Sequence, residues 1–349
     1  MSSESQLKGF ERQKRNKQTA NYWSWVAKRK ELGYWDIPGW KKHQNLLASR
    51  NPDQDWLDVC FSKISKSPPK TALSLGSGSG SLERILLERG YVQEVYGCDI
   101  SPDLVQISQD EAKKLNLKAQ YFVADLNDPV FNCPKVDLVI AAGILHHVEE
   151  LERLFLEIKK ILKEGGHFIV YDYVGPSRFQ WRENQIKRCN EWIEKLPKNY
   201  LKKKGYPWYY TVSKIIFNSI PFSHSEKLPP FLSKWFGERV GAQVKRLQQA
   251  SLTLNKVVPP PVEQFLVTDP SEAIRSEDIL KLASQVFKIE ELIPQGGTLA
   301  QPLFGRIVAN FLKGEEGKVW ASKILDDERL EIEKGNLESD LVAFIAKID

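Results

Sequence analysis

Residues Thr71 to Ser81 read TALSLGSGSGS, which is a short apolar strand followed by a turn with three alternating glycines. An apolar pattern with helical spacing begins at Leu82, directly after the turn. Glycine at 76, 78 and 80 lets backbone N–H groups approach a ligand that any Cβ would exclude. The stretch therefore predicts a nucleoside cofactor bound where a strand passes into a helix.

The spacing of the glycines indicates which cofactor this is. The fingerprint of dinucleotide-binding proteins requires its third glycine one position later, where this chain has Ser81. That mismatch argues against a nicotinamide or flavin cofactor. The pattern GxGxG suits a ligand without a pyrophosphate, above all S-adenosylmethionine.

Composition places the chain among globular proteins. At 349 residues it exceeds the usual size of one domain, and 42% of its residues are hydrophobic and 27% charged. No stretch approaches the roughly 20 apolar residues of a membrane helix, and the N-terminus lacks the apolar core of a signal peptide. We therefore expect a cytoplasmic protein. The four cysteines lack CxxC spacing, so we expect neither a disulfide framework nor a metal site.

Charge is distributed unevenly along the chain. The net charge is +5, yet residues 1–50 carry 11 Lys or Arg against 4 acids, and residues 177–262 carry 16 against 5. The rest of the chain is therefore acidic. The same two basic segments hold eight of the ten tryptophans. An acidic core with a basic, aromatic-rich addition is predicted.

Strand and helix patterns alternate between 67 and 175, as in a parallel sheet with crossover helices. Apolar residues from Leu151 to Leu162 recur at helical spacing, and Gly165 with Gly166 is expected to end that helix. After 262 we expect a helix from Glu277 with Ser276 as its N-cap, then a strand, two further helices and a closing strand. The predicted strands are Ala72 to Leu75, Val95 to Cys98, Ala119 to Val123, Asp137 to Ala142, His167 to Tyr173, Lys288 to Ile293 and Leu341 to Ile348.

Two carboxylates follow predicted strands near the glycine turn. Asp99 ends the second strand, 19 residues after Gly80, close to the offset at which a carboxylate reaches ribose hydroxyls. Asp125 ends the third strand beside the apolar Leu126. Its carboxylate is placed to accept from an adenine amino group, although alone it would be read as a loop cap. The two acids and the glycine turn together predict an adenosyl site.

At this point a family resemblance is clear. The segments LSLGSGSGSLE, GCDIS, VADLN, DLVIAAGILHHVEEL and LKEGGHFIVYDYVGPSRFQW together resemble a class I S-adenosylmethionine-dependent methyltransferase. The resemblance covers 67–181 motif by motif, and 263–349 in a weaker helix and strand pattern. It implies an α/β, Rossmann-like sheet of seven strands with the last strand antiparallel.

The resemblance also implies roles for individual residues. The Gly76 to Gly80 turn would wrap the methionine part, Asp99 would hold the ribose, and Asp125 with Leu126 would frame the adenine. Family members usually have an acid two residues before the first glycine, where this chain has Ser74. More narrowly, YVGPSRFQW, DPSEAIRS and GGTL resemble a bacterial branch linked to glycan or glycolipid modification. The full predicted cofactor set is Gly76, Ser77, Gly78, Gly80, Asp99, Ile100, Asp125, Leu126 and Ala142.

Catalytic candidates follow the fourth and fifth strands. An amine attacks a methyl sulfonium unaided, whereas a hydroxyl benefits from a base that removes its proton. With an unperturbed pKa of about 6.5, a histidine can serve as that base. We predict His147 as the base and expect His146 to pack or bond to backbone, with a catalytic role as its alternative. Asp172 at the end of strand five is either catalytic, substrate-positioning or a strand cap.

The acceptor site is expected from the basic additions. We predict that Tyr173, Arg178 and Trp181 contact the acceptor, with the guanidinium clamping an anionic group and the indole stacking on a ring. A surface ion pair and a lid core are the structural alternatives. The segment from Lys202 to Tyr210 is read as a solvated helix end, an anionic-substrate rim or a membrane contact.

These expectations define four segments and one function. They are a helical cap at 1–66, a cofactor-binding core at 67–176, a helical lid at 177–262 and the rest of the core at 263–349. We expect methyl transfer to a polar small molecule or glycan, at a hydroxyl oxygen. The alternatives are N-methylation of a natural product or amino sugar, methylation of a nucleic acid, and a scaffold without catalysis.

Overall fold

The computed structural model describes residues 19, 32–64, 68–203, 253–267 and 269–348. About half of the predicted N-terminal cap, including Trp23 and Trp25, lies outside the described residues. So does the central part of the predicted lid, including the aromatic residues that follow Lys204. The proposed boundaries of these two segments therefore stay predictions.

Seven strands form one sheet in the order β3-β2-β1-β4-β5-β7-β6. Strands β1 to β5 are parallel to one another, and β7 runs antiparallel to both β5 and β6. This confirms the predicted α/β, Rossmann-like sheet with an antiparallel last strand. The strand bounds are β1 Thr71–Leu75, β2 Glu94–Asp99, β3 Ala119–Val123, β4 Val136–Ala142, β5 Leu162–Tyr173, β6 Lys288–Gly296 and β7 Leu341–Lys347.

Helices cover both faces of the sheet. Apolar side chains of β4 alternate between two buried clusters, with Leu138 and Ile140 on one face and Val139 and Ala141 on the other. The helices of the described residues are α1 Trp40–Ser49, α2 Trp56–Ile64, α3 Ser81–Glu88, α4 Pro102–Lys114, α5 Leu151–Ile161, α6 Glu183–Lys195, α7 Glu263–Val267, α8 Ile279–Val286, α9 Ala300–Phe304 and α10 Gly314–Glu333.

The two helices described in the N-terminal segment pack against different parts of the protein. Trp40 of α1 packs in the same buried cluster as Trp192 of α6, which joins this segment to the predicted lid. Helix α2 instead covers the sheet, since Leu57 and Cys60 pack in one cluster with Ile140 of β4. The sequence placed the whole segment in the cap, whereas α2 belongs to a layer of the core.

Two local predictions were wrong. Helix α5 ends at Ile161, before the two glycines, and Gly165 with φ +70° lies inside β5. The chain passes into the strand at once because Leu162 is already extended and buried. Ser276 does not cap a helix through its side chain. Its hydroxyl donates to the carbonyl of Gly175 at 2.8 Å, and α8 begins three residues later, after a short 3-10 turn.

Among the helices that the structure describes, none combines the length and the apolar content needed to cross a membrane.

Candidate cofactor and acceptor site

A cavity of about 250 Å³ opens at the carboxyl ends of β1, β2 and β4. This is the edge at which open α/β sheets bind ligands, because the strand order reverses there. Six of the nine predicted cofactor residues line it, together with His147. The lining residues are Thr19, Gly76, Gly78, Asp99, Ile100, Leu104, Ala124, Asp125, Leu126, Asn127, Gly143, Ile144, His147, Val148 and Ser271.

The glycine turn forms one wall of this cavity. Gly76 and Gly78 have φ of +64° and +54°, a backbone conformation that favours glycine. A Cβ on Gly76 would stand 2.4 Å from Cγ1 of Ile144, so the close approach of these two loops also requires glycine. A Cβ on Gly78 would meet no atom within 4 Å, because this glycine faces the open cavity. The turn therefore leaves room where a ligand would lie against backbone.

Asp99 stands at the end of β2 beside the turn. Its Oδ2 accepts the N–H of Gly78 at 3.0 Å and its Oδ1 accepts the N–H of Ser101 at 2.8 Å. Burial raises the pKa of this carboxyl, while the backbone N–H groups lower it. Each oxygen of an ionised carboxylate has more than one acceptor position. Asp99 can therefore hold the glycine turn and accept from two ribose hydroxyls at once.

The residues after β3 form the opposite wall. Asp125 accepts the N–H of Asn127 at 2.9 Å, which fixes the turn that exposes its carboxylate to the cavity. Leu126 is buried beside it. Asn127 in turn accepts the N–H groups of Glu149 and Glu150, which ties this turn to the loop after β4. Acidic ends, apolar walls and a glycine cradle together fit an adenosyl cofactor.

Three predicted cofactor residues do not line this cavity. Ser77 is buried behind the turn, with its N–H donating to the carbonyl of Cys98 at 2.9 Å. Gly80, with φ +77°, is the residue before α3. Ala142 is half-buried at the end of β4, where it pairs with Tyr171. All three support the cavity wall from behind, and their direct contact with the cofactor stays a prediction.

His147 lies in the cavity wall on the short turn after β4. Its Nδ1 is 3.1 Å from Oγ of Ser271, which donates its own proton to Asp269 at 2.6 Å. Since the Ser271 proton is used on Asp269, Nδ1 of His147 is the donor in their contact, and the lone pair of the neutral ring falls on Nε2. Burial and the nearby charges of His146 and Arg178 hold the pKa of His147 well below its usual value.

The ring of His146 lies 4.1 Å from that of His147 and contacts Asp172 and Glu272. Its Nδ1 is 2.5 Å from Oδ1 of Asp172, and its Nε2 is 3.6 Å from a carboxylate oxygen of Glu272. Burial alone lowers the pKa of His146, but the Asp172 carboxylate outweighs it and raises that pKa to about 9. The two neighbouring histidines therefore differ in charge at neutral pH, His146 being an imidazolium and His147 a neutral ring.

Asp172 holds the turn that carries both histidines. The side chain is fully buried at the end of β5, and its Oδ2 accepts the N–H groups of Ile144 and Leu145 at 2.9 and 2.7 Å. Its Oδ1 accepts from Tyr173 as well as His146. These contacts suit a residue that positions the turn, one of the roles that the sequence left open.

The predicted acceptor residues pack behind the site. Tyr173 is buried, and its hydroxyl donates to the carbonyl of Pro176 at 3.1 Å. The Arg178 guanidinium donates to the carbonyls of Pro270 and Glu272 at 2.7 Å each. Trp181 packs against the cluster that contains α6. None of the three lines the described cavity. Arg178 instead holds the 269–272 loop against the histidines, and acceptor contact by these residues stays a prediction.

Sequence reasoning missed the residues that surround His147 from that loop. Asp269, Ser271 and Glu272 lie more than 120 residues after the histidines, and only the motif DPSEAIRS drew attention to them as part of a resemblance. A loop acid has no periodicity that would place it at a given sheet edge. The half-buried Arg178 donates to this loop, but only the structure shows that its fork of donors meets two carbonyls there.

Comparison with known proteins agrees with this geometry. A family model described as a methyltransferase domain matches residues 73–170. Demethylmenaquinone methyltransferase of Thermus thermophilus is 27% identical over 134 residues, which cover 38% of this chain and 61% of that protein. A relative of the same name from Bacteroides fragilis is 21% identical, with 40% and 58% covered. The chain thus spans about three fifths of the length of these curated relatives.

Two solved structures are also similar. A protein from Pyrococcus horikoshii is 30% identical with a TM-score of 0.30, covering 33% of this chain and 51% of that one. Phosphoethanolamine N-methyltransferase 2 of Haemonchus contortus, solved with S-adenosyl-L-methionine, is 14% identical with a TM-score of 0.39, covering 84% and 53%. The matched family model and the seven-stranded sheet identify the core of this chain as a class I S-adenosylmethionine-dependent methyltransferase domain.

Proposed function

We propose that this protein transfers a methyl group from S-adenosylmethionine to a hydroxyl oxygen of a polar small molecule or glycan, with His147 as the general base. The observation that carries the proposal is the position of His147. It lines the same cavity as Gly78, Asp99 and Asp125, and its Nδ1 contact with Ser271 leaves the lone pair on Nε2.

The cofactor supplies a methyl group activated by a sulfonium, so the protein has to align the nucleophile and exclude water. His147 would take the acceptor proton on Nε2 as the hydroxyl oxygen gains the methyl group, and S-adenosylhomocysteine would leave as the product. The low pKa of His147 keeps its ring neutral at neutral pH, and it also makes the ring a weaker base than a free imidazole. The Ser271 and Asp269 pair then stabilises the imidazolium that results, because Asp269 lies 3.6 Å from Nδ1.

Positive charge near His147 supports a particular class of acceptor. Arg178 is a fixed positive charge behind His147, close enough to lower the pKa of that residue. Residues 1–50 and the predicted lid at 177–262 are basic and rich in aromatic residues. Both features support a polar acceptor that carries an anionic group, such as a modified sugar.

An amine acceptor is the second candidate, and one observation favours it. Asp172, Asp269 and Glu272 bring three carboxyl groups to the two histidines. Such a cluster is suited to an ammonium group, which loses a proton before it attacks. N-methylation of a natural product or amino sugar would then use Glu272 or Asp269 to hold the amine.

The test is a mass-spectrometric search for methylated products after the pure protein and labelled S-adenosylmethionine are added to a cell extract. A labelled product with a new O–CH₃ group supports the proposal, and an N–CH₃ product supports the second candidate. Because His146, His147 and Glu272 bring three possible metal-ligand atoms within 4.8 Å of one another, turnover is also measured with EDTA. Loss of activity in EDTA would replace the base mechanism with a metal-held hydroxyl.

A further inference from the structure

A fully buried carboxyl lies beneath the glycine turn. Glu83 is the third residue of α3, and its side chain has no exposure to solvent. Neither carboxyl oxygen has a hydrogen-bond partner among the residues that the structure describes. The side chain of Ser74 in β1 is close enough to lower the pKa of this carboxyl, and the Asp99 carboxylate is close enough to raise it. Of these two neighbours of Glu83, Asp99 lines the cofactor cavity.

Two further polar groups share this buried space. Oγ of Ser77, in the turn itself, and the Tyr121 hydroxyl of β3 also lack a partner among the described residues. A Cβ added to Gly97 would lie 3.1 Å from Cβ of Ser77 and 2.5 Å from the Tyr121 ring. The side chains of Ser77 and Tyr121 therefore lie close together over this glycine. The charge of Glu83 in turn raises the pKa of Tyr121. Ser77 lies in the turn, the Tyr121 hydroxyl lies beside Gly80, and Glu83 follows in α3, so three buried polar groups lie around one turn.

Such a cluster costs stability, because each buried polar group without a partner loses its bonds to water. Buried groups of this kind call for a functional explanation. S-adenosylmethionine carries two positive charges, on its sulfonium and ammonium groups, and one carboxylate. The demethylated product S-adenosylhomocysteine lacks the sulfonium charge and is neutral overall. A buried acid behind the site interacts more strongly with the first molecule than with the second.

We propose that Glu83 is a positioning residue that supplies the cofactor site with a buried acid and thereby favours binding of S-adenosylmethionine over S-adenosylhomocysteine. The acid comes from α3, since the nearby position on β1 is Ser74 and carries no charge. The inference rests on the proposed function through its cofactor alone, since it requires nothing of the acceptor. Ser74 is itself buried on β1 and adjoins Glu83, so an acid from either residue would reach the same space.

The test measures the affinities of the full chain for both molecules by calorimetry, without any acceptor. For Glu83→Gln, which keeps the shape and removes the charge, we expect affinity for S-adenosylmethionine to fall about tenfold. The affinity for S-adenosylhomocysteine should change less than about threefold. The exchange variant Ser74→Glu with Glu83→Ser returns the acid to the strand and should restore much of the preference. Glu328→Gln removes another fully buried carboxyl and should leave the preference unchanged.

Equal weakening of both affinities in Glu83→Gln would overturn the inference, because it would show only a structural role. Unchanged affinities would overturn it as well. If the exchange variant does not fold, the affinity ratio of Glu83→Gln decides alone. Failure of the unaltered protein to bind S-adenosylmethionine would instead remove the proposed function, so the two failures are distinguishable.

Discussion

At the scale of single residues, the proposed mechanism depends on one ring nitrogen, Nε2 of His147. Two neighbouring histidines share one turn, yet His146 contacts the Asp172 carboxylate and His147 contacts the Ser271 hydroxyl. A carboxylate stabilises the imidazolium, whereas a hydroxyl that already donates to Asp269 accepts from a neutral ring. The proposed difference between a structural cation at His146 and a base at His147 thus rests on the second partner of each ring.

Replacing His147 with Ala tests this assignment. We expect turnover to fall by about 10²- to 10⁴-fold, the usual contribution of a general base, while cofactor affinity changes little. His167→Ala is the matched control, because this histidine of β5 does not line the cavity and lies near Glu290 instead. Steady-state rates with the identified acceptor and calorimetry with the cofactor provide the two readouts. Undiminished turnover in His147→Ala would refute the role.

At the scale of elements, two glycines allow two effects of a substitution by alanine to be measured separately. One effect is backbone strain, which lowers stability, and the other is loss of space for the ligand, which lowers affinity. Gly78 and Gly90 have similar φ of +54° and +67°, and a Cβ on either would meet no atom of the protein within 4 Å. Alanine at each position should therefore cost a similar 1–2 kcal/mol, roughly the penalty of this conformation. Only Gly78→Ala should weaken cofactor binding, because only Gly78 lines the cavity.

Chemical denaturation and cofactor titration of both alanine variants provide the measurement. Equal loss of cofactor affinity in Gly90→Ala, which follows α3 on the far side of that helix, would contradict the assignment of the cavity.

The turn after β4 is a second element whose stability we expect to depend on pH. The carboxylates of Asp172, Glu272 and Asp269 together outweigh burial and raise the pKa of His146 from 6.5 to about 9, so their pairing with the imidazolium stabilises the fold fully below pH 6.5, and this stabilisation is lost as pH rises through about 9. Asp172→Asn should therefore cost more stability at pH 6 than at pH 10, with a difference of up to about 3 kcal/mol. Urea unfolding at the two pH values measures it, and an equal loss at both would exclude the charged pair.

The elements also show what the sequence could predict and why. Strand order, the glycine turn and Asp99 follow local rules, because periodicity and a fixed offset along the chain determine them. The loop of Asp269 to Glu272 and the buried Glu83 follow no such rule. Glu83 lies in a helical pattern in which an acid is normally solvated, and only the packing of α3 on β1 removes it from water. Tertiary contacts therefore decide the residues that sequence reasoning missed.

At the scale of the whole molecule, the cofactor site joins parts of the chain that are far apart in sequence. Thr19, the turns after β1 to β4 and the loop at Ser271 all line one cavity. Arg178 links the lid segment to that loop through two backbone carbonyls. A site assembled in this way binds well only when the whole fold is in place, so unfavourable groups within it lower the stability of the entire domain.

The buried carboxyl of Glu83 should lower the free energy of unfolding by an amount that depends on pH. Burial raises the pKa of its carboxyl from 4.5 to about 7, with Asp99 adding to the shift and Ser74 and Arg84 opposing it. Below pH 4.5 the acid is protonated in both the folded and unfolded states. Between pH 4.5 and 7 only the unfolded state ionises, so the free energy of unfolding falls as pH rises. Above pH 7 the full cost, about 3 kcal/mol, is present.

Glu83→Gln should therefore raise the free energy of unfolding of the cofactor-free protein at pH 8 by up to about 3 kcal/mol, and should change it little at pH 4.5. Denaturant unfolding of both proteins across this range measures the effect. Glu328→Gln is the contrasting variant, because its carboxylate pairs with His43 and accepts from the N–H groups of Leu299 and Ala300, so its loss should lower the free energy of unfolding. The facing groups on neighbouring elements are Asp99, Cys98 and Tyr121, and burial raises the pKa of each of them.

A variant that gains stability while it loses preference for the cationic cofactor would show that the domain retains a costly acid because its ligand requires it. A loss of stability at pH 8 would show that the carboxylate is satisfied within the fold, and the trade between stability and binding would not apply to this site.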